Sequence, residues 1–259
     1  MAGEHNTDRF YRRGPIHGGE GVDFVALRRR FDFRAIELGR WVTRAERERA
    51  AGLFYNALCD LMLILQGPEQ LVSLRGTLSL QYGIGGRPGV SAHYNPASRS
   101  FALAKNAGPG SIAHEWFHAF DHHMADKAFT GTGPNVFASR AWLDEAARVA
   151  HPLNQALFDC FQAVLLDETG EQPSELFRAS AEADRRHGIL YYSQPEELCA
   201  RAFEAFVQDA PIKNTFLVKG TRASAEAEQG LYPRGGQRAR CNAAFGRYFR
   251  ALGGALARQ

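Results

Sequence analysis

The sequence predicts an α+β protein: a small antiparallel sheet packed on a histidine-bearing helix, with a mostly helical C-terminal lobe. Three observations lead there. One apolar stripe at helical period runs through residues 44–65, period-two alternation is confined to residues 71–104, and beyond residue 111 the apolar patterning is almost wholly helical. At 259 residues the chain is long enough for one substantial core. It reads as a single domain over 1–259, with 1–42 an N-terminal extension, 43–126 carrying a helix, strands and the histidine-bearing helix, and 127–259 the helical lobe.

The elements follow in order. FVALRRRFDFRAIELG accommodates either a strand or a short helix. Thr43 and Glu46 form a capping box. It opens a helix whose stripe is Ala50, Leu53, Phe54, Ala57, Leu58, Leu61, Met62 and Leu65, ended by Gln66-Gly67-Pro68. LVSLRGTLSLQY, residues 71–82, alternates apolar and polar and is expected to be a strand. GIGGRPG follows as a candidate mobile flap. Residues 90–104 read as a hairpin turning at Asn95-Pro96-Ala97-Ser98. Ser111 is the expected N-cap of the next helix. Residues 138–187 are helical with a break near Thr169–Pro173, and SQPEELCARAFEAFVQD is a helix with Pro195 in its first turn. Residues 210–235 are loop-rich, and 237–257 make the last helix.

Apolar residues at 45% and charged residues at 23% are ordinary for a soluble globular chain. A net charge of +3 argues against dedicated nucleic-acid binding. Arg234, Arg238, Arg240, Arg247 and Arg250 are expected to form a solvated helix face. The opening MAGEHNTDRFYRRGP has no apolar segment of signal-peptide type, and no run suits a membrane span. Cys59, Cys160, Cys199 and Cys241 form no CxxC pair and are expected to be free thiols. A cytoplasmic location is the expectation.

The chemistry concentrates in IAHEWFHAFDHHM, residues 112–124. His114-Glu115-Trp116-Phe117-His118 is an HExxH motif. Four residues apart on a helix, two imidazoles stack one turn above the other and can converge on one zinc ion, with the intervening glutamate close enough to take a proton from water. At about 100° per residue, His118 and Asp121 share the face of His114, while Trp116, Phe117, Phe120 and Met124 lie opposite. A surface helix with incidental histidines is the competing reading. His122 completes an i, i+8 series but sits about 12 Å along the axis from His114, too far for the same ion. Asp121 suits a hydrogen bond to an imidazole from behind, and His123, off that face, is expected in solvent.

The third ligand must come from elsewhere. On the 195–209 helix, Glu197 shares a face with Arg201 and Glu204, and is preferred over Glu196, which points toward the apolar side as a first-turn acid. Glu204 is a candidate partner behind the ligands, and Arg201 a candidate salt-bridge partner of Glu204 or Asp121.

HEWFH followed by ExxAxxF, here Glu197, Ala200 and Phe203, resembles the gluzincin metallopeptidases, most closely the branch of anthrax lethal factor and the ImmA/IrrE-type proteases. That resemblance implies a zincin-like fold, with His114, His118 and Glu197 as zinc ligands and Glu115 as general base. The phrases GRWVTRAERERAAGLFYNAL, SLRGTLSLQYGIGGRPG, SIAHEWFHAFDHH, YYSQPEELCARAFEAFV and GLYPRGGQR resemble the bacterial CLCA_X family over nearly the whole chain. The central and C-terminal parts also resemble metallopeptidase-like domains of phage and mobile-element polyvalent proteins. Two departures from thermolysin-like relatives stand out: the long separation of His118 from Glu197, and Arg201 where those enzymes keep an acid.

The expected chemistry is hydrolysis of a peptide or protein substrate. Zinc lowers the pKa of its water toward about 7, Glu115 takes the proton and returns it to the leaving amine. Tyr191 and Tyr192 are candidates for the oxyanion donor, a packing role being the alternative. Hairpin 90–104, with His93 and Tyr94, is the candidate edge for an extended peptide. A zinc-binding module without catalysis, associated with interactions or mobile elements, is the competing function.

Overall fold

The computed structural model describes residues 10–18, 21–84, 92–105 and 110–258. From the N-terminal side it runs β1 (Arg12–Arg13), α1 (Phe24–Phe31), β2 (Ala35–Leu38), α2 (Arg44–Leu65), α3 (Glu69–Val72), β3 (Ser79–Tyr82), β4 (Ala92–Asn95) and β5 (Ser100–Leu103). It continues with α4 (Ser111–Ala128), α5 (Ala138–Leu143), α6 (Pro152–Leu165), α7 (Glu175–His187), α8 (Pro195–Asp209), β6 (Lys213–Asn214), α9 (Ala225–Glu228) and α10 (Gly235–Leu256). This is a mixed α+β arrangement, and no described helix is long and apolar enough to cross a membrane.

FVALRRRFDFRAIELG holds both a helix and a strand. Asp23 caps α1 by accepting from the Ala26 N–H, Asp32 ends it with φ of 56°, and β2 follows at once. The capping box of Thr43 and Glu46 opens α2 as expected.

The sheet is mixed rather than antiparallel. Its order is β2-β3-β5-β4, and only β4 and β5 pair antiparallel, through the expected hairpin. β2 and β5 flank β3 in parallel, with Leu80 opposite both Ile36 and Phe101. The cause is connectivity: α2 carries the chain from β2 back to β3, and a helical crossover sets parallel pairing.

The expected strand over 71–82 is confined to its last four residues. Leu71, Val72 and Leu74 are buried from a helical turn and the tight turn after it. Leu74, Arg75 and Gly76 all have positive φ, which no strand tolerates. The flap expected in GIGGRPG falls mainly on residues 85–89, outside those described.

Ser111 is not the N-cap of α4; Gly110 is, with φ of 103°. A Cβ at Gly110 would lie 2.7 Å from the Lys219 amide, so only glycine fits this approach. The Ala113 N–H donates to Leu217 O at 3.0 Å, supplying one partner that a side-chain cap would otherwise provide.

The helices pack as one core with α4. Trp116 stacks on Phe203 at 5.4 Å and Phe117 on Phe203 at 4.9 Å, while Phe120 meets Phe249 at 5.3 Å. Trp116, Phe117, Phe120, Phe203, Phe245 and Phe249 are all buried, each contributing roughly 1.5–3 kcal/mol by transfer from water. Segment 138–187 breaks at 166–174 as expected and also at 144–151. Of the C-terminal arginines, Arg238 is buried against Asp209 at 2.7 Å rather than solvated, while Arg234, Arg247 and Arg250 are exposed. All four cysteines are free and buried.

Within the 1–42 segment, β2 is a sheet strand and α1 packs into the core. Buried Asp60 on α2 draws in Arg12 and His17, each at 2.7 Å, and Asn214 at 2.8 Å, tying the start of the described chain to α2 and β6.

Candidate metal centre

The packing of α4 on α8 decides where the polar faces meet. With Trp116 and Phe117 turned onto Phe203, His114 and His118 project from the other side of α4 toward Glu197 and Glu204 of α8. They lie in a cavity of about 980 Å³. β4, the sheet edge beside α4, supplies His93 and Tyr94 to another wall.

His114 Nε2 and His118 Nε2 are 3.0 Å apart. Glu197 Oε1 lies 3.2 Å from His118 Nε2, and Glu197 Oε2 lies 3.4 Å from His114 Nε2. The three side chains form a potential metal cluster. A tetrahedron with ligand bonds of about 2.0–2.1 Å has edges of about 3.3–3.4 Å, so these separations fit zinc. Glu197 Oε2 is also buried without a hydrogen-bond partner, a need that a cation between it and the imidazoles meets. Behind the centre, His114 Nδ1 donates to Glu204 Oε2 at 3.0 Å, leaving the Nε2 lone pair facing inward. Burial lowers the His114 pKa, but Glu204 and Glu197 outweigh it and hold it well above the ordinary value. Burial raises that of Glu197, and the two imidazoles pull it far below the carboxylate range.

Glu115 is buried on the cavity wall, and burial raises its carboxyl pKa against the pull of His114 and His118. Glu196 also lines the cavity, where Arg140 faces it at 3.5 Å; it stands outside the cluster and does not point into an apolar face.

Several expected neighbours are placed differently. Asp121 does not hold an imidazole. Its oxygens accept from the Ser139 N–H at 2.8 Å and the Ser139 hydroxyl at 2.5 Å, so α5 takes the carboxylate that His118 was expected to use. His118 Nδ1 is left buried without a hydrogen-bond partner, with Phe137 edge-on to its ring at 5.9 Å. His122 donates to Pro134 O and accepts from Tyr94 OH, both at 2.7 Å, tying β4 to α4. His123 is half-buried, 3.4 Å from Thr77 Oγ1, and burial lowers its pKa to about 4. The turn that replaced the expected strand brings Thr77 there.

Arg201 forms no salt bridge with Glu204 or Asp121. Its guanidinium carbon lies 5.0 Å from the Tyr192 ring centroid and 5.7 Å from that of Tyr232. Tyr192 therefore packs under Arg201. Tyr191 lines the same cavity, its phenol pushed up by burial and then by the charge of Glu197.

Sequence reasoning passed over Asp184 and Tyr232. Asp184 accepts from the N–H groups of Tyr191, Tyr192 and Ser193 at 3.1, 2.8 and 2.9 Å and from the Ser193 hydroxyl at 2.6 Å, fixing the turn that presents both tyrosines. The DRRH context reads as an ordinary polar helix end, and only the following YYS segment hints at a carboxylate cap. Tyr232 lies in a loop without periodicity; its phenol is pushed up by burial and by Glu204.

Residues 183–256 match the family described as large polyvalent protein-associated domain 1. The match ties this part of the chain to polyvalent mobile-element proteins. The polyvalent protein-associated segment includes Asp184, Tyr191, Tyr192, Glu197, Arg201, Glu204 and Tyr232, whereas His114, Glu115 and His118 precede it. No curated protein and no solved structure matches the chain.

Proposed function

We propose that the protein is a zinc-dependent metallopeptidase of gluzincin type that hydrolyses peptide bonds. The observation that carries this reading is the convergence of His114, His118 and Glu197 from two helices, with Glu115 beside them in the same cavity. A zinc ion held by those three residues supplies Lewis acidity toward a carbonyl oxygen and lowers the pKa of water. Glu115 takes a proton from the attacking water at its carboxylate and delivers it to the leaving amine. Glu204 fixes the His114 tautomer. Tyr191, held by the Asp184 turn, donates to the oxyanion, and the open edge of β4 aligns an extended peptide by strand pairing.

A second reading has its own support: the family match begins after the HExxH helix and concerns domains of polyvalent proteins. On that reading the centre binds zinc for stability and performs no hydrolysis. Glu115→Gln separates the two. For the peptidase, the substitution abolishes turnover of a peptide library and leaves zinc content unchanged; a variant as active as the parent would remove Glu115 from the mechanism.

A further inference from the structure

Arg201 projects from α8 one helical turn after Glu197, about 6 Å along the axis. It is 7% exposed, lies on the cavity wall, and is held between the rings of Tyr192 and Tyr232. Its Nε and Nη1 are buried without any hydrogen-bond partner. Arginine does not shed its charge, and a buried guanidinium with idle donors is costly. The two acids whose charge acts on it are engaged elsewhere, Glu204 with His114 and Glu197 with both imidazoles. The cavity therefore contains a fixed cation with unused donors beside the candidate centre.

The donor geometry selects the ligand. A carboxylate is matched by either forked edge of a guanidinium, Nε with Nη2 or Nη1 with Nη2, and each edge contains one of the idle donors. A dianion such as phosphate is disfavoured, because Glu115, Glu196, Glu204 and Glu226 line the same cavity. An extended peptide advances about 3.3–3.6 Å per residue, so a carboxylate one or two residues from the cleaved bond reaches Arg201.

We propose that Arg201 is a specificity-determining residue that binds a substrate carboxylate next to the scissile bond. The proposal rests on the peptidase reading. The carboxylate has two sources, a free peptide C-terminus or an Asp or Glu side chain.

The test uses the zinc-loaded full chain and peptides in matched pairs: free C-terminus against C-terminal amide, and Asp or Glu against Asn or Gln. One pair is expected to show a preference in kcat/KM of about 100-fold for the carboxylate. Which pair responds names the source. Arg201→Met, which retains an apolar stem between the tyrosines, is expected to collapse that ratio to about one, and Arg201→Lys to retain part of it. Binding of the same peptides to the Glu115→Gln protein reads the subsite without turnover.

Hydrolysis with no carboxylate preference in either pair overturns the Arg201 proposal and leaves the peptidase reading standing. Carboxylate-selective binding lost in Arg201→Met, with no peptide cleaved by the parent, overturns the peptidase reading and keeps the subsite. Neither cleavage nor selective binding overturns both.

Discussion

Asp121 offers a quantitative test of how α4 and α5 are joined. Burial pushes its carboxyl up from 3.8 to about 7, against the pull of the Ser139 hydrogen bonds. A carboxyl with a raised folded pKa holds its proton more tightly in the native state than in the unfolded one. Its contribution to stability is complete below pH about 4 and is lost as pH rises through about 7. A shift of about three units at about 1.36 kcal/mol each sets a ceiling of about 4 kcal/mol. Asp121→Asn keeps both contacts, its carbonyl oxygen accepting from the Ser139 N–H and its amide donating to the Ser139 hydroxyl. The variant is therefore expected to lie within about 1 kcal/mol of the parent at pH 4.5 and to exceed it in stability at pH 8.5 by about 2–4 kcal/mol. Urea denaturation with a chelator present, at half-unit pH steps, measures the gap. Parallel pH–stability curves, or a variant less stable at pH 8.5, would refute the burial argument.

Three further outcomes follow from the same geometry. Glu204→Ala removes the acceptor for His114 Nδ1 and is expected to weaken zinc binding about 10–100-fold in a chelator competition, with Glu204→Gln recovering much of the loss. Asp184→Ala strands the N–H groups of Tyr191, Tyr192 and Ser193, costing about 1–3 kcal/mol in denaturant titration; peptide hydrolysis drops while zinc content holds. Phe203→Ala opens the contact between α4, α8 and α10 and is expected to cost about 3–5 kcal/mol, read as a lowered Tm.

The parts of the fold visible in the sequence were those whose apolar period is local. The α2 stripe, the hairpin of β4 and β5, and the Pro195 helix start all appear in the structure. The mixed sheet was hidden because β2 is four residues long and its pairing is set by a distant crossover. The 71–82 alternation misled because a helical turn followed by left-handed residues can bury the same leucines as a strand. At the centre, helical spacing put His114 and His118 on one face of α4 and favoured Glu197 over Glu196 on α8, while the meeting of the two faces depends on how α4 packs against α8. Partners arriving from other elements of the chain were not visible. Ser139 takes Asp121, Asp184 holds the tyrosine turn, and Tyr232 closes over Arg201 through chain reversals that no periodicity marks.

The central claim is that α4 and α8 jointly hold one metal ion through His114, His118 and Glu197. Zinc per chain, measured by mass spectrometry on the purified parent and on Glu197→Ala, tests it most directly, with Glu196→Ala as the matched control. Stoichiometric zinc in the parent and in Glu196→Ala, lost in Glu197→Ala, is the expected result. Zinc undiminished in Glu197→Ala, or none bound by the parent, would contradict it.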